Sequence, residues 1–305
     1  MKMMRESKLM LSVLALVLGA FIISACSDDD KKAKLTVGFT YEADGKTISF
    51  TSTATGADEY EWSFGDGNTS SEQNPTHTYT ENGTYTVSLT VKQGSSTLTE
   101  TDEVVVSKNA AVTIDGSFSD WSSIADAAVS TKDESSLSKL KVDFDANYVY
   151  VYVEGTSDMK GYFNIYLDVD NNPSTGATEG FEYLYYNFGA DYLLDGYIGE
   201  NKDGELYKDN PDNEGWCWTI DCDSDEVVPV VGNGSGLVIS SDLVDIGGGK
   251  KAIEFGILRA AIPGLQLEFR FAVTDVDAGG TWSAIGSVPS SGLGEDSEML
   301  LVSLK

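Results

Sequence analysis

Beyond Lys34 no stretch of this 305-residue chain sustains a 3.6-residue hydrophobic period, whereas alternation at period two recurs almost to the C-terminus. Ile48 and Phe50, then Tyr60, Trp62 and Phe64, then Tyr85, Val87, Leu89 and Val91 each carry a polar residue between apolar ones. Successive side chains of a strand point to opposite faces, so this pattern describes half-buried strands. Clusters of Gly, Asn, Asp and Ser punctuate the runs as turns do. The chain is therefore expected to be all-β, as two β-sandwich domains in series.

Further along, the strand candidates are 139–144, 148–154, 162–169, 183–188, 193–198, 216–220, 237–240, 252–257, 267–273 and 299–304. A single helical turn is expected at 258–261 before Pro263-Gly264. Length agrees with two domains, at ~100 to 200 residues each. The expected division is a leader over 1–25, an acidic tether over 26–34, a first sandwich over 35–107 and a larger one over 111–305.

The leader combines Lys2, Arg5 and Lys8 with an uncharged apolar run from Leu9 to Ile23. That run is shorter than the ~20 residues of a spanning helix and ends in small residues, as an export signal does. Ile23-Ser24-Ala25-Cys26 resembles a bacterial lipobox, which implies that Cys26 is lipidated and becomes the first mature residue. Ser27-Asp28-Asp29-Asp30 behind it is similar to the tag that sends Bacteroidota-type lipoproteins to the outer face of the outer membrane. A charge run of this kind also serves as a solvated tether.

The formal net charge is −29, and removing Lys2, Arg5, Lys8 and Glu6 takes away a net +2, leaving −31. Phosphate backbones are bound by Lys and Arg that displace counterions, so nucleic acid and anionic headgroups are poor partners. The same field disfavours polyanionic glycans.

Trp62-Ser-Phe64-Gly65-Asp66-Gly67, Asn74-Pro75-Thr-His77-Thr-Tyr79 and Gly83-Thr-Tyr85-Thr-Val87-Ser-Leu89 together resemble the signature of a polycystic-kidney-disease (PKD) domain. The resemblance implies an immunoglobulin-like sandwich acting as a spacer. Trp62 would be its buried strand tryptophan, Glu81 to Tyr85 a tyrosine corner, and Asp66-Gly67 a hairpin turn. His77, the only histidine, falls inside that motif and is assigned to packing and hydrogen bonding.

In the second unit four motifs follow one another in the order of family-9, DOMON-like carbohydrate-binding modules. They are Ile114-Asp115-Gly116 with Asp120-Trp121, Leu140 to Asp145 with Tyr148 to Val151, Asp168 to Gly176, and Val273 to Asp277 with Trp282. The resemblance implies a β-sandwich that binds carbohydrate, with calcium as cofactor. Asp168, Asp170 and Asn172 stand at i, i+2 and i+4, with Glu179 as a further oxygen donor, the donor type that calcium takes. Pro173 occupies the position where an EF-hand needs glycine, which excludes that loop. Asp-Asn-Asn-Pro serves equally as a turn without metal.

Trp216, Trp218 and Trp282 are the candidates for stacking on a sugar, whereas Trp121 sits in a family motif as core. A turn near Ile220-Asp221 would let Cys217 and Cys222 bridge, and an exported chain favours a disulfide over two free thiols.

The expected function is a non-catalytic, lipid-anchored surface protein that captures a neutral glycan beside a TonB-linked transporter and glycoside hydrolases. The alternatives are an adhesion or structural protein that binds another protein, and a glycoside hydrolase built on two carboxylates. A serine or cysteine triad has no histidine outside the PKD-like motif, and zinc lacks its usual ligands.

Overall fold

The computed structural model describes residues 33–179, 186–198, 204–209, 231–232, 234–289 and 299–305. Cys26, the leader, most of the tether, Trp216, Trp218, Cys217 and Cys222 lie outside them.

In the first unit the strands are β1 (Phe39–Asp44), β2 (Thr47–Ser52), β3 (Glu59–Ser63), β4 (Thr69–Ser70), β5 (Thr76–Thr78), β6 (Gly83–Gln93) and β7 (Ser96–Val106). They form two antiparallel sheets, β1-β2-β5 and β4-β3-β6-β7. Ile48, Phe50, Trp62, Phe64, Val87, Leu89 and Val91 are buried together between them, the period-two residues of the sequence. Trp62 places its ring against Phe39 and Phe50 and donates its indole N–H to the Glu72 carbonyl (2.9 Å). The tyrosine corner is present: Tyr85 Oη donates to the Glu81 carbonyl (3.0 Å). His77 stacks on Phe64 with ring centroids 4.2 Å apart, and its Nε2 shares a 2.7 Å hydrogen bond with Asp66.

The second unit contains β8 (Asp126–Val129), β9 (Leu137–Phe144), β10 (Tyr148–Thr156), β11 (Tyr162–Asp168), β12 (Ala177–Glu179), β13 (Tyr186–Ala190) and β14 (Tyr192–Tyr197). It continues with β15 (Glu205–Lys208), β16 (Val238–Ser240), β17 (Val244–Gly247), β18 (Lys250–Leu258), β19 (Glu268–Val276), β20 (Ala284–Val288) and β21 (Leu300–Ser303). One sheet runs β16-β18-β10-β9-β8 with β17 on β18, the other β15-β14-β11-β19-β20 with β21 on β19, and β12-β13 is a separate ribbon. The pairing is antiparallel throughout. A single apolar core fills the space between the sheets, with Leu140, Val151, Val153, Phe163, Ile165, Leu194, Phe255, Phe271 and Val273 at its centre. The expected helical turn is a short 3₁₀ turn, Arg259–Ala261.

Segment 110–124 covers the outer face of the first sheet, where Val112 and Trp121 pack with Tyr152 and Ala252. Glu254, fully buried, holds the segment down. Its Oε1 accepts the N–H groups of Asp115 (2.8 Å) and Gly116 (2.6 Å), and its Oε2 accepts the Trp121 indole N–H (2.7 Å). Trp121 is thus core, as its motif implied.

The two units are strapped together at the linker. Asp143, nearly buried, takes an ion pair from Lys108 and the Ala111 N–H (2.6 Å), while Asn82 donates to the Leu304 carbonyl (3.1 Å).

Candidate functional site

Strand β11 contributes to two polar clusters of the second unit. Phe163, Ile165 and Leu167 point into the core, so Tyr162, Asn164, Tyr166 and Asp168 share the opposite face. The two ends of that face differ in character.

At the C-terminal end, Asp168, Asp170 and Asp191 converge, with one carboxylate oxygen of each lying within 4.8 Å of the others. Asp168 is completely buried: its Oδ1 accepts the Asn172 N–H (3.0 Å), and its Oδ2 has no hydrogen-bond partner. Asp170 accepts the Asn172 N–H (3.0 Å) and the Thr175 hydroxyl (3.1 and 3.2 Å). Asp191 holds the Val169 N–H through Oδ2 (2.9 Å).

The loop reaches this shape through its backbone. Asn171 takes φ +55, a left-handed conformation that Asn tolerates, and its Oδ1 accepts a hydrogen bond from Arg270 Nε (2.7 Å). Gly176, at φ +73, has no room for a side chain, since a Cβ there would lie 2.4 Å from the Ala190 carbonyl oxygen. That close approach brings Asp191 beside the loop. Burial first, and then the charges of Asp170 and Asp191, push Asp168 up to about 6 against the lowering effect of the Asn172 N–H. Burial also raises Asp191.

Of the four residues expected to hold a cation, Asp168 and Asp170 are brought together. Asn172 turns its side-chain oxygen to the Ser174 N–H (3.2 Å) and serves the two aspartates through its own N–H. Glu179 has its backbone in β12, and its side chain lies outside the described part. Asp191 was missed because it stands more than twenty residues along the chain and joins the loop only through the fold.

A buried, unpartnered carboxylate oxygen facing two further carboxylates fits a hard divalent cation. Such ions take oxygen ligands and offset charges that otherwise raise one another's pKa.

At the N-terminal end of the same face, the register sets a polar row across five strands: Ser287, Thr274, Asn164, Asp195 and Glu205 stand directly opposite one another in turn. Asp195 accepts the Tyr162 hydroxyl (2.6 Å) and the Asn164 amide N–H (3.2 Å), and Glu205 accepts the Tyr207 hydroxyl. Thr274 Oγ1 is buried without a hydrogen-bond partner. Burial, reinforced by the charge of Glu205, pushes Asp195 up to about 6 although the Tyr162 hydroxyl bond opposes it.

Aromatic rings border the row. Tyr162 meets Tyr197 edge to face (4.6 Å) and Trp282 likewise (5.6 Å). Trp282 is the one exposed tryptophan among the described residues, at 51% of its full accessibility. It sits at φ +57, where a bulky residue is strained, and its N–H is tied to the Asp277 carbonyl (2.9 Å). Strain of this kind costs of order 1–3 kcal/mol and persists only where the surroundings enforce it. An indole held outward beside tyrosines and hydrogen-bonding carboxylates can stack on a flat apolar ligand face and bond its polar edge.

Among solved structures, the chain is similar to one described as carbohydrate-binding modules from the β-sandwich superfamily, at 13% identity over 75% of this chain and 92% of that chain (TM-score 0.27). It also resembles the PKD1 domain of the Vibrio cholerae metalloprotease PrtV, at 31% identity over 24% of this chain and 95% of that domain (TM-score 0.23). A curated relative, the collagenase ColA of Bacillus cereus, is 73% identical over 33 residues. This stretch is 11% of this chain and 3% of the collagenase. The family model described as the PKD domain matches residues 26–108, and the N-terminal unit is accordingly a PKD domain.

Proposed function

We propose that this chain is a non-catalytic glycan-binding protein, lipid-anchored through Cys26 at the outer membrane and facing outward. Its PKD domain serves as the spacer, and the second sandwich takes a neutral glycan on the face of β11. The observation that carries the reading is Trp282. An indole half open to solvent, in a strained backbone and braced by Tyr162, costs stability that a core residue would not. Capture beside a TonB-linked transporter and glycoside hydrolases is the setting this reading implies. The Asp168–Asp170–Asp191 cluster is its calcium site, holding the loop that ends the strand.

Glycan-array screening of the chain, followed by titration with the best oligosaccharide, tests the reading. Single-site sugar binding near 1 mM is worth only about −4 kcal/mol. Losing one stacking ring at ~2 kcal/mol should therefore take Trp282→Ala below detection while its melting temperature stays within a degree or two. Binding unchanged in Trp282→Ala would overturn the site, and an array with no bound glycan would favour the protein-binding alternative. Anchoring is checked by fatty-acid labelling, which should mark the wild type and not Cys26→Ala; equal labelling of both would remove the lipid from the proposal.

A further inference from the structure

Asp195 and Glu205 are direct cross-strand neighbours on one face, an arrangement in which like charges repel. Sheets avoid it or place a cation between. Here, among the described residues, no Lys or Arg forms an ion pair with either carboxylate; their partners are the hydroxyls of Tyr162 and Tyr207 and the amide of Asn164. Around the pair stand the rings of Tyr162, Tyr197 and Tyr207, with Trp282 at the rim against Tyr162. In the same row, two strands from Asp195, Thr274 keeps a fully buried hydroxyl with no partner.

Two carboxylates without a counter-cation, bordered by aromatic faces, are the surroundings that attract an ammonium group. The quadrupole of each ring adds to the carboxylates' attraction where water is reduced. A neutral sugar would use the rings and leave the paired charge uncompensated.

We propose that the glycan bound on this face carries a free, protonated amine, which seats between Asp195 and Glu205 while its ring stacks on Trp282. The proposal rests on the glycan-binding reading and replaces the neutral ligand given there with a cationic amino sugar. It also agrees with the chain's net charge of −29, which draws cationic ligands and repels anionic ones. Burial, the main cause that raises Asp195, strengthens the case, because a carboxylate short of solvation gains most from a bound cation.

The test is calorimetric titration of the full chain, at near-neutral pH where the Asp195 carboxylate is ionised, and at low salt, with three β-1,4-linked hexamers: glucosamine, N-acetylglucosamine and glucose. The glucosamine hexamer is expected to bind roughly ten-fold more tightly than the other two, the scale of a single well-placed cation–π and carboxylate contact. Glu205→Gln and Asp195→Asn should each bring the ratio near one. Asparagine keeps an oxygen to accept the Tyr162 hydroxyl, so that variant guards against loss of fold. Melting curves of both are compared with wild type first.

Equal binding of all three hexamers would overturn the inference and leave the glycan reading standing. Binding of none of them, with no glycan bound on an array, would remove both. A preference that persists in both carboxylate variants would overturn the inference. So would tight glucosamine binding that survives Trp282→Ala, because it would report only the negative field of the whole chain.

Discussion

Glu254→Ala is expected to lower the unfolding free energy by about 4 kcal/mol, more than truncation of most surface residues by an order of magnitude. The carboxylate is fully buried and serves three donors, the N–H groups of Asp115 and Gly116 and the indole of Trp121. Alanine would leave all three without this acceptor, the Trp121 indole in a buried place, and a hydrogen bond to a charged group is worth roughly 1.5–3 kcal/mol. The loss should reach beyond the site, because these bonds hold segment 110–124 over Tyr152 and Ala252. Glu254→Gln gives the control. Its oxygen can still accept Asp115 and Gly116, while its amide faces the Trp121 N–H donor to donor, so about half the loss is expected. Urea unfolding of the two variants checks this. A loss below about 1 kcal/mol for alanine would mean that the segment is held by its apolar contacts alone.

The Glu254 contact also marks where sequence reading stops. Ile114-Asp115-Gly116 and Asp120-Trp121 stand out along the chain as a motif, but their acceptor lies more than 130 residues away inside an ordinary alternating strand. Alternation itself was sufficient for the long strands. Tyr148–Thr156, Lys250–Leu258 and Glu268–Val276 fall where apolar and polar residues alternate, displaced by a few residues at their ends. Asp126–Val129, Glu205–Lys208 and Ala284–Val288 were not anticipated, since strands this short carry too few periods to stand out from loops.

The polar row on the face of β11 shows the same limit. Trp282 is conspicuous by residue type, whereas Tyr162, Tyr197 and Tyr207 read simply as strand tyrosines. Only the registers Tyr162 with Tyr197, Asn164 with Asp195 and Asp195 with Glu205 gather them on one face. A register depends on pairing energy summed over whole strands, and no local spacing encodes it.

Calcium is expected to stabilise the second sandwich, by about 2.7 kcal/mol when the free ion exceeds its dissociation constant ~100-fold, because a ligand that prefers the native state shifts unfolding by mass action. The cause is Asp168. Its Oδ2 is buried without a partner, and the charges of Asp170 and Asp191 add to the cost of keeping it ionised. The crowded buried charge opposes folding, and a bound cation is expected to reverse that. Asp168→Asn should therefore change sign with the medium. In chelator it should be as stable as wild type or up to about 1 kcal/mol more so, since a like charge is removed and the amide can donate to Asp170 or Asp191. In calcium it should be the less stable of the two, because the ion's response is lost. Asp191→Asn should weaken the response as well, which separates the cluster built by the fold from a site confined to Asp168 to Glu179. Thermal melts of wild type and both variants in calcium and in chelator decide the matter. Identical wild-type curves in the two media would remove the cation from the site, and a response lost in Glu179→Ala but kept in Asp191→Asn would return the ligands to the loop alone.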